Sequence, residues 1–264
     1  MEKIVKNKSL AVKNAEKIIS EYKIQNAKEL DLELIANAER LIVEEADLGD
    51  TWGKIVYNSD GGIIKINKNL RETGQKRFTL AHELGHYFNE KDFRTNSLYK
   101  HIDKFLGFNN KNKYEDDANE FAAELLMHRI WFNDFCKGKK INMELIKSIA
   151  EFFNVSLSAA AFRYANVGKY PIGVIYSTDG VVKWKLFNDY FPFRFIGYNF
   201  NVPVESSAYD FFAGRDMQTS EDLIEATCWF PEDRNIKAGV YLYEQNIAMQ
   251  FYNSVLTLLW EDDN

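Results

Sequence analysis

Two of the chain's four histidines lie one helical turn apart in the stretch FTLAHELGHYF, with a glutamate beside the first. Residues i and i+4 share a face of an α-helix, so His82 and His86 can direct imidazole nitrogens at one ion. This spacing suits zinc, and Glu83 is placed to act as a general base toward water. Gly85 costs the helix about 1 kcal/mol relative to alanine, which a purely structural helix has little reason to accept. The pattern therefore predicts a catalytic metal site.

A catalytic zinc site needs three protein ligands and one open position. Seven downstream residues offer a carboxylate or an imidazole as third ligand: His101, Glu115, Asp116, Asp117, Glu120, Glu124 and His128. We favour Glu115, because Asn119 follows on the same helical face and can orient a ligating imidazole, while the small Ala118 lets another helix approach. Glu124 and His128 form a further i,i+4 pair, which we expect to lie on the surface. Asp116 and Asp117 are expected to be solvated charges near a helix N-terminus.

At these positions the sequence resembles the ImmA/IrrE family of zinc metallopeptidases. That family carries an "RFTxAHELGHYLL" block and an "ExxANxFAAELLMP" block, and this chain reads RFTLAHELGHYF and EDDANEFAAELLM. The matched positions are His82, Glu83 and His86 in the first block, and Glu115, Ala118, Asn119 and 121–127 in the second. His128 departs from the pattern, since the family usually has proline there. The resemblance covers residues 10 to 165 and supports one Zn²⁺ per chain, held by His82, His86 and Glu115.

The expected chemistry is peptide hydrolysis, in which zinc acidifies water and Glu83 transfers its proton to the leaving amine. An oxyanion also needs a donor besides the metal, and Tyr87, Tyr114 and His101 are unranked candidates for this role or for substrate contact. The strand GIIKIN (62–67) could pair with an extended substrate at a sheet edge, or be an edge strand with no such role.

The remaining patterns predict an α+β fold. A helical metallopeptidase domain with a small sheet is expected over residues 1–168, and it includes a helix-turn-helix-like segment at 143–168. A β-rich region is expected over 169–264, where it senses a signal, recognises a partner or simply completes the fold. Turn signals at 60–62 and 179–180 predict two β-hairpins.

Composition narrows the function classes. The net charge of -6 argues against a nucleic-acid scaffold, because neutralising phosphates requires clustered lysine and arginine. The two cysteines, Cys136 and Cys228, are too few and too far apart for a disulfide framework. No stretch approaches about 20 apolar residues and no leader pattern opens the chain, so a cytoplasmic protein without membrane contact is expected.

Three functions follow from these features. The resemblance implies an endopeptidase whose usual substrate is a helix-turn-helix transcriptional repressor, so that cleavage switches genes on. A second hypothesis is a DNA reader whose recognition helix, LSAAAFRYANVG, offers Arg163, Ser158 and Asn166. That helix's alanines and aromatics suit packing better, so direct DNA binding is disfavoured. A third hypothesis is a regulator that keeps the metal site but acts by binding its repressor partner.

Overall fold

A computed structural model describes residues 8–90, the backbone of Tyr99–Ile102 and residues 113–261. Within these residues the chain divides into two units. The first takes the described part of Met1–Phe135 together with Ile149–Ser156, and the second takes Cys136–Ser148 and the described part of Leu157–Asn264. Both units mix helices with one sheet, so the predicted α+β class is confirmed.

The first unit opens with two helices, and each begins after a residue whose side chain caps it. Helix α1 is Leu10–Glu21, and the Ser9 side chain accepts a hydrogen bond from the Val12 amide. Helix α2 is Leu32–Ala38, and Asp31 accepts from the Leu34 amide in the same way. Each cap satisfies an amide that has no partner inside the helix, which fixes where the helix begins.

A four-stranded sheet follows, in the order β1-β3-β2-β4. Its strands are β1 (Leu41–Ala46), β2 (Gly53–Asn58), β3 (Gly61–Asn67) and β4 (Tyr99–Ile102). Strands β2 and β3 form the predicted hairpin, while β1 runs parallel to β3 and β4 antiparallel to β2. The polar composition between 89 and 114 predicts a loop with some short helix, and this prediction is wrong at β4. Residues 91–98 and 103–112 of that stretch lie outside the described residues.

The predicted substrate edge at GIIKIN is also wrong. Strand β3 is bonded on both sides, by β1 along one edge and β2 along the other. Its backbone groups are therefore already paired and cannot add a further strand. In the described part of this sheet the outer strands are β1 and β4.

Two long helices pack together next to this sheet. Helix α3 (Thr73–Glu90) carries the HExxH motif and contacts β2, β3 and helix α4 (Lys113–Leu126). Helix α4 also packs on α1, so it lies between the N-terminal helix and the motif helix. Fully buried Leu84 and Phe121 belong to this core. Helix α5 (Arg129–Cys136) and the end of α6 (Met143–Phe153) complete the unit.

The second unit is built on a five-stranded antiparallel sheet, in the order β6-β5-β9-β8-β7. Its elements are α7 (Leu157–Val167), β5 (Ile172–Thr178), β6 (Val181–Phe187), α8 (Ser207–Phe212), β7 (Asp222–Glu225), α9 (Ala226–Trp229), β8 (Tyr241–Met249) and β9 (Ser254–Trp260). Strands β5 and β6 form the predicted hairpin, whose turn residues Asp179 and Gly180 both have positive φ, as a two-residue type I′ turn requires. The predicted β-rich C-terminal region is confirmed.

The helix-turn-helix-like segment is present, as α6 and α7 joined by a bend of 107°. Helix α7 packs on β5 and β6, and the rings of Phe162 and Trp184 lie 3.9 Å apart between centroids. The division into two compact units thus places α7 in the second unit, whereas the sequence predicted a domain boundary between residues 168 and 169. The separation of function at this boundary, between a metallopeptidase domain and a β-rich C-terminal region, stays a prediction. Among the described residues no single helix is long and apolar enough to span a membrane, and the α6–α7 pair reaches such length only across its bend.

Candidate metal centre

Helix α3 buries its motif residues instead of displaying them on a solvated face. His82, Glu83 and His86 are each at most 1% exposed, and their helix neighbours are buried as well: Ala81, Leu84 and Gly85. Burial on this scale places the two imidazoles and the carboxylate in a medium that strengthens electrostatic interactions. Glu115 enters the same region from the first turn of α4, with its side chain 12% exposed.

Three donor atoms converge between α3 and α4. The Nε2 atoms of His82 and His86 are 2.9 Å apart, and Glu115 Oε2 lies 3.3 Å from the first and 3.6 Å from the second. Tetrahedral ligands about 2.0–2.2 Å from zinc lie roughly 3.3–3.6 Å from one another. The two separations that involve Glu115 fall at the two ends of that range, and the separation between the two imidazole nitrogens is shorter than it. Two imidazole nitrogens and one carboxylate oxygen are also a donor set that zinc accepts, so these residues fit the ion.

The Nδ1 atom of each histidine faces a side-chain oxygen, and the oxygen beside His82 is at hydrogen-bond distance, where it can orient the ring. Asn119 Oδ1 lies 2.9 Å from Nδ1 of His82, and a carboxylate oxygen of Glu90 lies 4.0 Å from Nδ1 of His86. A proton held on Nδ1 by an acceptor leaves the Nε2 lone pair for a metal. Sequence reasoning identified Asn119 and missed Glu90, which is buried and follows His86 by four positions on the same helix. That spacing was the available signal.

Gly85 sets the distance between the two helices. A Cβ built at this position would lie 2.9 Å from the Ala118 carbonyl oxygen and 3.0 Å from Ala118 Cα. The obstacle is backbone, which cannot rotate away as a side chain can. The glycine and the alanine therefore allow α4 to approach α3 closely enough for Glu115 to reach both histidines.

Gly53 is a second glycine of the site, and sequence reasoning missed it. A Cβ built there would lie 2.6 Å from Glu83 Oε1 and 2.5 Å from the Thr79 methyl group. The start of β2 thus runs directly against the carboxylate that is the candidate base. No positive φ requires glycine at this position, so its role is to leave space.

The comparisons with known proteins identify the domain to which the helices of this centre belong. A family model described as the IrrE N-terminal-like domain matches residues 38–164. Metallopeptidase ImmA of Bacillus subtilis (strain 168) is 29% identical over 141 residues, which is 52% of this chain and 76% of that protein. The chain carries a domain of the ImmA/IrrE family.

A solved structure extends the likeness of the fold beyond the ImmA/IrrE domain. A Mycobacterium tuberculosis transcriptional regulator aligns with 95% of this chain and 75% of its own, with a TM-score of 0.58 and 15% identity. At that identity the likeness concerns the fold alone. The ImmA/IrrE domain itself contains α3 and α4, and so all three convergent donors.

The candidate oxyanion donors of the ImmA/IrrE domain lie in three different settings. The Tyr87 hydroxyl donates to Glu39 at 2.9 Å, and burial together with that carboxylate raises the pKa of Tyr87. A single O–H that donates to Glu39 cannot donate to an oxyanion at the same time. Tyr114 is 60% exposed and adjoins Glu115. His101 lies in β4 opposite Ile55, and its side chain lies outside the described residues.

The remaining candidate ligands separate into two groups by their exposure. Asp116 and Glu120 are exposed on α4 and Asp117 is half-buried, so we assign none of them to the donor cluster. Glu124 and His128 are 1% and 9% exposed, so the expectation that this pair lies on the surface is wrong. The pair is buried because α1 packs on α4 and because the chain turns from α4 into α5 at these residues.

Replacing Asn119 by alanine should weaken zinc binding by about 10- to 100-fold, the usual effect of removing a hydrogen bond that orients a ligating histidine. Competition with a chromophoric chelator would measure this change. Asn119→Asp keeps an acceptor oxygen and should retain wild-type affinity, while Glu120→Ala, on the neighbouring exposed position, serves as the control. Equal affinities for wild type and Asn119→Ala would contradict the orienting role.

Proposed function

We propose that this chain is a zinc-dependent endopeptidase that hydrolyses a peptide bond in a helix-turn-helix transcriptional repressor and thereby relieves repression. The observation that carries the proposal is that His82, His86 and Glu115 converge beside the buried Glu83. The histidines and Glu83 lie on α3, and Glu115 lies on α4. A structural zinc site would close all four positions with protein ligands, whereas three donors leave one position for substrate or water. The family and the Bacillus subtilis metallopeptidase support the same chemistry.

The chain's own groups divide the work. His82, His86 and Glu115 would hold Zn²⁺, which when bound supplies a Lewis acid that acidifies water and polarises a scissile carbonyl. Glu83 accepts a proton from the attacking water and delivers it to the nitrogen of the leaving amine. Gly53 keeps the space around the Glu83 carboxylate open. Asn119 holds the His82 ring in the orientation that points its Nε2 atom inward, and a Glu90 carboxylate oxygen lies 4.0 Å from Nδ1 of His86.

An extended substrate would pair with a sheet edge, and β4 is the better placed of the two outer strands. In the pairing of β2 with β4, Ile102 lies opposite Lys54. Lys54 directly follows Gly53, and Gly53 lies next to the Glu83 carboxylate. A peptide added along β4 would therefore pass close to the candidate base. Main-chain pairing gives affinity without demanding one side-chain sequence, which suits a peptidase that cuts within a folded or partly folded partner.

Two alternatives are less well supported. For DNA reading, Arg163 is the cation of the α7 helix, and it is 7% exposed beside buried Ala160 and Tyr164. A buried guanidinium does not reach a phosphate, so α7 serves packing better than recognition. The other alternative, a regulator that binds its repressor without cutting it, retains the metal site and differs only in the outcome of a cleavage assay.

The test is co-expression of the chain with the nearest encoded helix-turn-helix repressor, followed by mass spectrometry of the repressor. We expect a discrete pair of fragments with wild type and intact repressor with His82→Ala, whose zinc content by elemental analysis should fall. An intact repressor that co-purifies with the wild-type protein would instead support the binding regulator.

A further inference from the structure

A second group of metal-ligating side chains lies in the first unit, outside the centre described above. Glu16 of α1, Glu124 of α4 and His128 at the start of α5 each offer one donor atom, and these atoms lie within 4.8 Å of one another. We call these three residues the α1–α4 cluster. None of them belongs to the donor set of the HExxH centre.

Two members of the cluster are buried and the third lies at its rim. Glu124 and His128 are 1% and 9% exposed, and the Glu16 side chain is 27% exposed at the rim. His128 Nε2 lies 3.8 Å from Glu124 Oε1, which is too long for a hydrogen bond and near the separation of two ligands on one ion. An imidazole between two carboxylates is a donor set typical of zinc or manganese sites.

The local charges leave a role for a cation. Two carboxylates meet here, and their mutual repulsion costs free energy in a buried setting. Lys8 Nζ contacts Glu16 at 2.5 Å from the exposed side, and the Arg129 amide donates to Glu124 Oε1 at 3.0 Å. A divalent ion would bring its charge to both carboxylates and to the imidazole at once.

We propose that the α1–α4 cluster is a second divalent-cation site, of the zinc or manganese class, which fastens helix α1 to the helix that carries Glu115 and Asn119. Its ligands come from α1 and from the junction of α4 with α5, so a bound ion links segments more than 100 positions apart in the chain. His128 stands where the family block usually has proline, so the donor set is a property of this chain rather than of the block.

The experiment counts metal in the purified full chain. Tag-free protein is stripped with chelator, titrated separately with Zn²⁺ and with Mn²⁺, and analysed for bound metal per chain by elemental analysis after gel filtration. We expect two equivalents of at least one of these metals in wild type, one in His82→Ala and one in His128→Gln. Glu16→Gln, at the rim, should lower the affinity of the second equivalent at least tenfold.

Folding and identity controls make each outcome decisive. Circular dichroism and thermal melting of the stripped proteins establish that His128→Gln and Glu16→Gln are folded. If His128→Gln does not fold, the Glu16→Gln titration decides in its place. Added metal should raise the melting temperature of His82→Ala but not that of His82→Ala/Glu16→Gln. A single equivalent in wild type that His82→Ala removes would overturn the second site and leave the proposed peptidase untouched.

Discussion

Glu83→Gln should lower kcat for repressor cleavage by about 10²- to 10⁴-fold while the protein still binds one equivalent of zinc at the HExxH centre. Glutamine keeps the size of the side chain and can still accept a hydrogen bond, but it cannot take a proton from water. The carboxylate is fully buried and the three convergent donors lie on His82, His86 and Glu115, so the substitution removes the base without removing a ligand.

Zinc content and cleavage rate must be measured on the same preparation. Glu90→Gln is the matched control, because it makes the same chemical change on the same helix at a residue that contacts His86 but is not the base. Its expected effect falls on zinc affinity, with a kcat close to wild type at saturating zinc. Cleavage by zinc-loaded Glu83→Gln at the wild-type rate would show that another group moves the proton.

Gly53→Ala should reduce kcat by about 10- to 100-fold with zinc binding unchanged. The added methyl group would lie 2.6 Å from Glu83 Oε1, so either the carboxylate or the start of β2 must move. A displacement of about 1 Å in a reacting group can cost on the order of 100-fold in rate. The effect belongs in kcat because the base acts in the chemical step, and the three atoms nearest to this methyl group belong to Thr79 and Glu83, not to a zinc donor.

Two further variants identify what moves. Gly197→Ala adds a methyl group with nothing within 4 Å and no positive φ, so it should leave kcat and zinc content unchanged. Thr79→Ser removes the other group that the new methyl would meet, at 2.5 Å. If the loss in Gly53→Ala comes from displaced β2, adding Thr79→Ser should restore part of the rate. If it comes from the Glu83 carboxylate, the loss should persist.

Local patterns predicted the elements and the donor residues, and they failed where contacts are distant in sequence. The caps at Ser9 and Asp31 and the i,i+4 spacing of His82 and His86 are properties of a few neighbouring residues. The edge assigned to β3 failed because its second partner, β1, pairs with it in parallel although β2 lies between them in the sequence. Parallel pairing leaves no turn signal between the two strands.

The contrast between local patterns and contacts distant in sequence also explains how far the sequence could predict the roles of Gly85 and Gly53 and the burial of Glu124 and His128. The role of Gly85 followed in part from its place inside the motif, and the structure adds the reason, which is close approach to Ala118. Gly53 lies outside any motif, and its significance depends on how β2 meets α3. Glu124 and His128 carry ordinary surface residue types, and only the packing of α1 on α4 buries them.

Because residues of both α3 and α4 would hold the metal, we expect metal binding to raise the free energy of unfolding as well as to support activity. His86 and Glu115 are 29 positions apart, so an ion held by both closes a chain loop that is open in the unfolded protein. Free zinc at about 1,000 times its Kd would add about 4 kcal/mol to the free energy of unfolding, comparable to much of a domain's stability. On the proposed function, zinc shortage would therefore act in two ways: it would leave the peptidase inactive, and it would raise the unfolded fraction that proteases degrade.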